Sequence, residues 1–276
     1  MVTGCQRSGT TLVRLILDSH PKISSIDEDQ FRFPELYSYL YANYSPSIPF
    51  IAFKLPIYAH LISFIETLPE RRLLWCIRNP LDVVWSMIKL QMPMGGILVP
   101  WAAHPGGGWA EISNTYWALG DEQKKNLKSH MADFWGLTEK FANIAKSPEK
   151  LAKNLANIDR RHCVFIAALC WRIKNELLQV YVKHGIDFHL IRYIDLVTHP
   201  RERIAEMLDY IGIDWNEEVM QHHSLHKGVS IGNTSNSRAI DQDSLGKGAK
   251  NLTHEEQESI KAICRPIAQQ WDYLVN

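Results

Sequence analysis

The sequence predicts an α/β fold in which a doubly wound parallel sheet is flanked by helices. Short apolar segments alternate with segments of helical periodicity along most of the chain, and this order is typical of parallel strands joined by helical crossovers. A glycine-containing loop joins the first strand to the first helix, and one long, largely helical stretch interrupts the alternation. The 276 residues therefore predict a single domain over residues 1–276 that carries one insertion.

The first elements follow one another closely. Residues 1–3 predict the end of a strand, which a glycine follows. Over residues 10–19 the apolar side chains keep helical spacing, and the proline at position 21 ends the helix. Residues 50–54 predict a short strand, and Pro56 opens a helix after it.

The later elements repeat this order. Residues 72–77 form a compact apolar run, as expected of a parallel strand that is buried on both faces. Pro80 suits the first turn of a helix that continues over residues 81–90. Residues 188–193 predict another strand, and residues 201–211 predict an amphipathic helix.

Residues 91–161 break the alternation and are expected to form a largely helical insertion. Prolines and glycines dominate its first part, whereas residues 121–158 are rich in lysine and in helix-forming residues. We expect the insertion to cover the C-terminal edge of the sheet as a lid over the substrate. Three of its tryptophans are candidate walls of an acceptor pocket: Trp101, Trp109 and Trp117. A solvated helical hairpin without a substrate role fits the same pattern.

The bulk composition excludes several functional classes. Lysine plus arginine equals aspartate plus glutamate, at 30 each, so the chain has no global basic field for nucleic acid. No apolar run approaches the roughly 18 residues of a membrane span, and no signal peptide precedes the first motif. The five cysteines show no metal-ligand spacing and are expected to be buried thiols. We expect a cytoplasmic protein without a membrane or nucleic-acid partner.

Residues 4–11 (Gly-Cys-Gln-Arg-Ser-Gly-Thr-Thr) lie between the first strand and the first helix, where backbone N–H groups and the helix dipole favour an anion. The spacing Gly-x4-Gly is that of a nucleoside-triphosphate loop, but a threonine stands where that loop has its lysine. This P-loop-like segment suits a single phosphate instead. Its candidate ligands are Arg7, Ser8, Gly9, Thr10 and Thr11. A simple strand-to-helix turn is the alternative.

A second candidate anion site follows the apolar strand of residues 72–77. Arg78 ends that strand, and Ser86 follows eight positions later (86 − 78), two turns into the next helix. An arginine fork and a hydroxyl at this spacing can reach one phosphate. On its own the pattern also fits a helix-capping arginine and an ordinary helix serine, but the first loop favours the anion site.

The two motifs together resemble those of sulfotransferases that use 3′-phosphoadenosine-5′-phosphosulfate (PAPS). Residues 7–12 and 17–21 are similar to the family's 5′-phosphosulfate loop, especially in the tyrosylprotein and bacterial small-molecule branches, which carry arginine at this place. Arg78 and Ser86 resemble the family's 3′-phosphate signature, with Asn79 in place of the usual aspartate. The resemblance covers most of the chain outside the insertion.

Two further regions extend the resemblance. Residues 193–200 are similar to a family segment and imply a place near the adenine for Tyr193, although Ile194 stands where glutamate is common. The family also closes a polar loop over the nucleotide near its C-terminal end. The candidates for that loop are Ser235, Ser237 and Lys247, and the alignment leaves the choice between the two serines open.

The resemblance also implies the catalytic groups. Glu28 lies 21 positions after Arg7 (28 − 7), at the place of the glutamate taken as base in the tyrosylprotein branch. Asp27 and His20 are further candidates for the base. Lys54, at a strand end, resembles the family lysine that neutralises the bridging oxygen as the bond breaks. A solvated acidic turn and a solvated strand-end lysine are the alternatives.

The predicted reaction is sulfuryl transfer from PAPS to a hydroxyl or nitrogen of a small-molecule acceptor, with desulfated PAP as product and no metal. A natural product is the expected acceptor, and the acidic residues within 27–35 make a saxitoxin-like guanidinium alkaloid one candidate. Three alternatives stay open: a P-loop kinase of a small metabolite, a protein-tyrosine sulfotransferase, and an inactive nucleotide-binding protein. The protein is expected to be a monomer or a homodimer.

Four histidines raise the question of a metal site. They are His104, His222, His223 and His226. The last three form a His-His-x-x-His pattern, but no acidic partner pattern accompanies them. We therefore expect histidines at helix ends or on the surface.

Overall fold

The computed structural model describes residues 1–28, 30, 48–68, 70–144, 147–226 and 237–271. Its strands are β1 (Val2–Gly4), β2 (Ile23–Asp27), β3 (Phe50–Lys54), β4 (Leu74–Ile77), β5 (Gln91–Met94), β6 (Ile97–Pro100) and β7 (His189–Arg192). Its α-helices are α1 (Thr10–Asp18), α2 (Ile62–Thr67), α3 (Pro80–Ile88), α4 (Ala110–Ala118), α5 (Asp121–Asn126), α6 (Lys128–Ile144), α7 (Pro148–Ala156), α8 (Arg160–Lys183), α9 (Tyr193–Thr198), α10 (Pro200–Ile211), α11 (His222–Leu225), α12 (Lys247–Asn251) and α13 (His254–Gln270).

The chain forms two compact units, and neither is a continuous segment. The first unit comprises Met1–Ala59, Ser63–Arg78 and Ile186–Ser244. The second unit comprises His60–Ile62, Asn79–Gly185 and Leu245–Asn276.

A parallel sheet organises the first unit. Among the described residues it has five strands in the order β2-β3-β1-β4-β7. The central strand β1 pairs with β3 on one side and with β4 on the other, and every pairing is parallel. The fold class predicted from the sequence, an α/β fold with a parallel sheet flanked by helices and a helical insertion, is confirmed.

Strand β2 was not predicted. Its sequence, Ile-Ser-Ser-Ile-Asp, alternates weakly and carries two serines at its centre. It lies at the edge of the sheet, paired with β3 from Ile23 opposite Phe50 to Asp27 opposite Lys54. An edge strand has one neighbour and a partly exposed face, so it does not need the continuous apolar run of an inner strand.

Helices α1 and α10 contribute the apolar side chains that cover the sheet within the first unit. From α1 these are Val13, Ile16 and Leu17, and from α10 they are Ile204, Met207 and Leu208. They pack with strand residues that include Val2, Leu74, Cys76 and Ile191. Each such buried aliphatic side chain contributes about 1.5–3 kcal/mol relative to exposure. This packing holds the strand ends, and hence the loops that follow them, in fixed places.

The second unit contains the predicted insertion. The insertion starts as an antiparallel hairpin of β5 and β6, with two glycines at positive φ in the turn, and continues as helices. Its small core includes Val99, Ala103 and Leu155. Trp109 packs against this core and against Phe141. Of the tryptophans predicted to line a pocket, Trp109 thus belongs to the core of the insertion, whereas Trp117 is 68% exposed.

The structure bears on the expected state of the cysteines and on membrane-spanning helices. All five cysteines are buried, and none forms a disulfide. No helix in the described part of the chain has the length and hydropathy that a bilayer crossing requires.

Candidate functional site

The candidate site residues of the first unit lie where parallel strands end. The loop that holds Arg7 to Gly9 follows β1, Glu28 follows β2, Lys54 ends β3, Arg78 follows β4 and Tyr193 follows β7. In open α/β sheets the carboxyl ends of the strands form the ligand-binding edge. The strand order therefore places side chains that are far apart in the sequence along one edge of one sheet.

The loop after β1 has an unusual backbone. Gly4 has φ +132°, and a Cβ atom there would lie 2.2 Å from the carbonyl oxygen of Cys76. Gly9 has φ +97°, and a Cβ atom there would lie 2.6 Å from the ring of Tyr193. Arg7 has φ +69°, in the left-handed region that non-glycine residues rarely adopt. Strained backbone of this kind is typical of loops that bind a ligand closely.

The start of α1 offers polar groups to an anion. Gly9 caps the helix and provides no side-chain hydrogen bond to the first N–H groups, so those groups and the helix dipole favour a negative charge. Ser8 is 1% exposed, and its hydroxyl has no hydrogen-bond partner among the described residues. A buried hydroxyl without a partner is costly, and a bound phosphate oxygen would supply one.

Two arginines lie close together beside this loop. Arg78 is buried, and it donates hydrogen bonds to the carbonyl oxygens of Arg7 (3.3 Å) and Ser244 (2.5 Å). Burial and the positive charge of Arg78 lower the pKa of Arg7, while Tyr193 opposes the shift. Two neighbouring guanidinium groups repel each other unless an anion compensates them. Their arrangement fits a phosphate or sulfate group.

Tyr193 contacts both halves of this candidate anion site. Its ring lies 4.3 Å beneath the guanidinium carbon of Arg78 and directly against Gly9. A cation over an aromatic face is stabilised by the ring quadrupole, which fixes the direction of the arginine fork. The role near the adenine that the sequence implied for Tyr193 remains a prediction.

The register of β2 and β3 brings the two predicted catalytic groups together. Asp27 and Lys54 are paired across the strands, and the Lys54 ammonium lies 2.7 Å from Asp27 Oδ1 and 3.3 Å from Glu28 Oε1. The second carboxylate oxygen of Glu28 accepts the N–H of Ile57 at 3.2 Å. Lys54 is 6% exposed, so it is not the solvated strand-end lysine of the alternative interpretation.

Arg14 completes a buried charge cluster with Asp27, Lys54 and Glu28. The sequence analysis did not predict a role for it. Its Nε lies 3.3 Å from Asp27 Oδ2, and its Nη1 donates to Ser25 Oγ at 3.0 Å. Asp27 is 1% exposed and is therefore held between two cations, Arg14 and Lys54. A signal was present, because Arg14 is the one charged residue among the apolar positions of the first helix. Helical periodicity alone gave it no role.

The environment of Glu28 suits a base. Burial raises the pKa of the Glu28 carboxyl, and this effect outweighs the opposing effects of Lys54 and of the Ile57 N–H. The side chain keeps 19% of its surface exposed, against 2% for that of Asp27. A carboxylate with a raised pKa is a stronger base near neutral pH. Of the two acidic candidates, Glu28 is the more accessible.

His20 is held in a structural role. Its Nδ1 accepts the N–H of Lys22 at 3.1 Å, and its Nε2 lies 3.0 Å from the carbonyl oxygen of Asp214. Nδ1 is therefore the unprotonated nitrogen and Nε2 the donor. Because both ring nitrogens are engaged with the backbone, this geometry argues against His20 as the base.

The other histidines considered as metal ligands also make contacts within the protein. His226 contacts Ser19 Oγ and the carbonyl oxygen of Leu15, and its Nδ1 lies 3.5 Å from Asp18. His222 is fully buried, which together with His223 lowers its pKa to about 4. His104 accepts the N–H of Gly106. The described residues contain no group of three or more His, Cys, Asp or Glu side chains placed to hold a metal ion.

The other predicted nucleotide ligands are distributed over both units. Ser86 is half-buried on α3, and Lys247 is exposed as the first residue of α12; both belong to the second unit. Asn79 caps α3 by accepting the Leu81 N–H at 2.9 Å, a role that asparagine fills as well as aspartate does. Ser237 is exposed in the first unit, and Ser235 lies outside the described residues.

Comparisons with known proteins bear on the family and the fold of this chain. The family model of the sulfotransferase domain matches residues 1–271. The sulfotransferase domain of the Synechococcus PCC 7002 olefin synthase has the same fold, with a TM-score of 0.59 at 14% identity over 99% of this chain and 94% of that one. The sulfotransferase domain from the curacin biosynthetic pathway has a TM-score of 0.53 at 14% identity over 99% and 97% of the two chains.

At 14% identity these two structures show the fold alone. A search of curated protein sequences finds no match. The family model nevertheless spans nearly the whole chain. The protein therefore belongs to the sulfotransferase family.

Proposed function

We propose that this PAPS-dependent sulfotransferase transfers the sulfuryl group to a hydroxyl or nitrogen of a small-molecule natural product. Enzymes of the family use PAPS as co-substrate and act on an acceptor. The two structural neighbours come from an olefin synthase and from the curacin biosynthetic pathway, and this supports the choice of acceptor class. The observation that carries the proposal is that the buried Arg78 beside the half-buried Arg7, and the Lys54–Glu28 pair, lie along one sheet edge.

The residues after β1 and β4 fit the phosphate chemistry of PAPS. Arg7, Arg78 and the N–H groups at the start of α1 supply positive charge, and the buried Ser8 hydroxyl supplies a group in need of a partner. The P-loop kinase alternative receives no comparable support, because the loop has Thr10 in place of the lysine that holds β- and γ-phosphates.

In the proposed step, the Glu28 carboxylate takes the proton of the acceptor hydroxyl or amine. A bond forms between the acceptor atom and sulfur while the bond from sulfur to the bridging oxygen breaks. The electron pair of the broken bond stays on that oxygen, which becomes part of the 5′-phosphate of PAP. Lys54 neutralises the negative charge that grows there. As in phosphoryl transfer, positioning and electrostatics supply most of the rate enhancement.

The acidic cluster gives less support to a guanidinium acceptor than the sequence suggested. Asp27 is already compensated by Lys54 and Arg14, so its charge is not available to a cationic substrate. Asp29 and Glu35 lie outside the described residues. Among the described acidic residues of the 27–35 segment, Glu28 is the more exposed, and it is itself paired with Lys54. We therefore propose the natural-product class without a specific alkaloid.

Isothermal titration with PAP tests the nucleotide site. We expect Arg7→Ala and Arg78→Ala each to weaken PAP binding by about ten- to a hundredfold, because a hydrogen bond to a charged group contributes about 1.5–3 kcal/mol. Arg161→Ala is the matched control, since Arg161 is exposed and pairs with Asp159. Unchanged PAP affinity in both site variants, or tight binding of ATP with magnesium instead, would overturn the proposal.

Sulfuryl transfer should not require a divalent ion. We expect full turnover in a chelator, because protein cations alone compensate the charge that develops on the leaving phosphate. A PAPS-dependent acceptor screen read by mass spectrometry, with and without the chelator, measures this and includes tyrosine peptides as an acceptor class. Loss of activity in the chelator that a divalent ion restores would contradict the expectation.

A further inference from the structure

A buried carboxylate in the second unit holds the backbone on both sides of Lys247. Asp82, in the first turn of α3, is 4% exposed. Its Oδ1 accepts the N–H of Gly248 at 2.7 Å, and its Oδ2 accepts the N–H of Gly246 at 3.1 Å. One carboxylate therefore binds the two amides that flank Lys247 in the sequence, and charge-assisted hydrogen bonds of this kind are strong and directional.

The two glycines make this close approach possible. Gly246 has φ +68°, in the left-handed region that a glycine adopts without strain. A Cβ atom at Gly248 would lie 2.2 Å from the backbone of Leu81. The backbone of residues 246–248 thus rests directly on the start of α3, and no side chain fits between them.

The same helix carries Ser86, which the sequence places at the nucleotide. Ser86 follows Asp82 by four positions (86 − 82), and residues four apart are neighbours on one helix face. Lys247 begins α12 and is exposed, so its ammonium group is not consumed by the packing that anchors its backbone. Helix α3 therefore holds both the turn at Gly246–Gly248 and Ser86.

We propose that Asp82 is a positioning residue that fixes the Gly246–Gly248 turn and so presents Lys247 to the end of the nucleotide that Ser86 binds. The inference rests on the proposed nucleotide role of Ser86 and Lys247. It adds a residue that makes no contact with the nucleotide and acts only through Lys247. If Asp82 only stabilised the start of α3, its replacement would lower the stability of the protein, and its effect on nucleotide binding would not depend on Lys247.

A double-mutant cycle on PAP affinity tests the inference. We expect Asp82→Asn and Lys247→Ala each to weaken PAP binding about tenfold. In Asp82→Asn an NH2 donor replaces one of the two carboxylate oxygens that accept the Gly246 and Gly248 N–H groups. The double variant should bind no more weakly than Lys247→Ala alone, because residues that act as a unit are not additive. In Asp82→Asn, KM for PAPS should rise while kcat at saturation stays near the wild-type value.

The controls separate positioning from stability. Asp159→Asn removes a similar carboxylate bond, from the Arg161 N–H at the start of α8, and should leave PAP affinity unchanged. Asp82→Asn combined with Arg7→Ala should be additive. Asp82→Glu, which keeps the charge but displaces it, replaces Asp82→Asn in the cycle if the latter fails to fold.

The outcomes are distinguishable. Unchanged affinity in Lys247→Ala would overturn the nucleotide role of Lys247 and this inference with it. Weakened binding in Lys247→Ala with full additivity in the cycle, or with no effect of Asp82→Asn, would overturn the positioning role of Asp82 and leave the nucleotide site standing.

Discussion

Lys54→Ala is expected to lower turnover by about 10²- to 10³-fold while PAP still binds, because removal of one preorganised charge from a shielded site costs about 3–4 kcal/mol of transition-state stabilisation. Lys54 is buried beside Glu28 at the end of β3, where its charge is little screened. Single-turnover kinetics with PAPS, together with titration of PAP, measure the two effects separately. The loss should appear in kcat rather than in KM for PAPS.

The variant should remain folded, because Asp27 keeps a cationic partner in Arg14 at 3.3 Å. Lys54→Met provides a second variant that retains most of the side-chain volume. Lys22→Ala is the matched control, since Lys22 is half-exposed and pairs with the exposed Asp214 at 3.7 Å. Near-normal turnover in Lys54→Ala would remove this residue from the mechanism.

Glu28→Gln is expected to lower kcat/KM by about 10²- to 10⁴-fold, the usual contribution of a general base, and to abolish the acidic limb of the pH profile. Burial raises the pKa of Glu28 above its ordinary value of 4.5. A base must be deprotonated to act, so wild-type activity should fall as the pH decreases through this raised pKa. The limb should therefore lie at higher pH than that of an ordinary glutamate.

Asp27→Asn distinguishes the two acidic candidates. Asp27 lies between Lys54 and Arg14, so its replacement should reduce kcat without removing the acidic limb. A glutamate elsewhere, such as the exposed Glu66 of α2, serves as the control for the Glu→Gln change. If the limb persists in Glu28→Gln and disappears in Asp27→Asn, the base is Asp27 and the assignment of Glu28 is wrong.

Much of the fold could be read from local residue patterns. The strands at residues 50–54 and 72–77 and the helix after Pro80 were predicted because apolar runs, helical spacing and proline positions are local signals. Strand β2 was missed because an edge strand with two central serines carries little of that signal. The hairpin at the start of the insertion was likewise hidden by its prolines and glycines.

Some features of the candidate site could likewise be predicted from local sequence, and others could not. Arg7, Ser8 and Gly9 could be proposed as anion ligands because a glycine-containing turn between a strand and a helix is defined by neighbours in the sequence. Arg14 could not, because its partners Asp27 and Ser25 belong to the strand that was missed. Tyr193 was placed near the adenine by resemblance, whereas its contacts with Gly9 and Arg78 come from packing.

The amino-acid sequence by itself determined the order of the elements, the glycine-containing turn after β1 and the kinds of groups at the strand ends, because spacing and side-chain chemistry are properties of the chain alone. Only the tertiary structure decided that Asp27 lies opposite Lys54 and that Asp82 accepts the N–H groups of Gly246 and Gly248. These contacts depend on strand register and on close backbone approach between distant segments. Such contacts are selected by the burial and hydrogen bonding of the whole fold, and local propensity does not contain them.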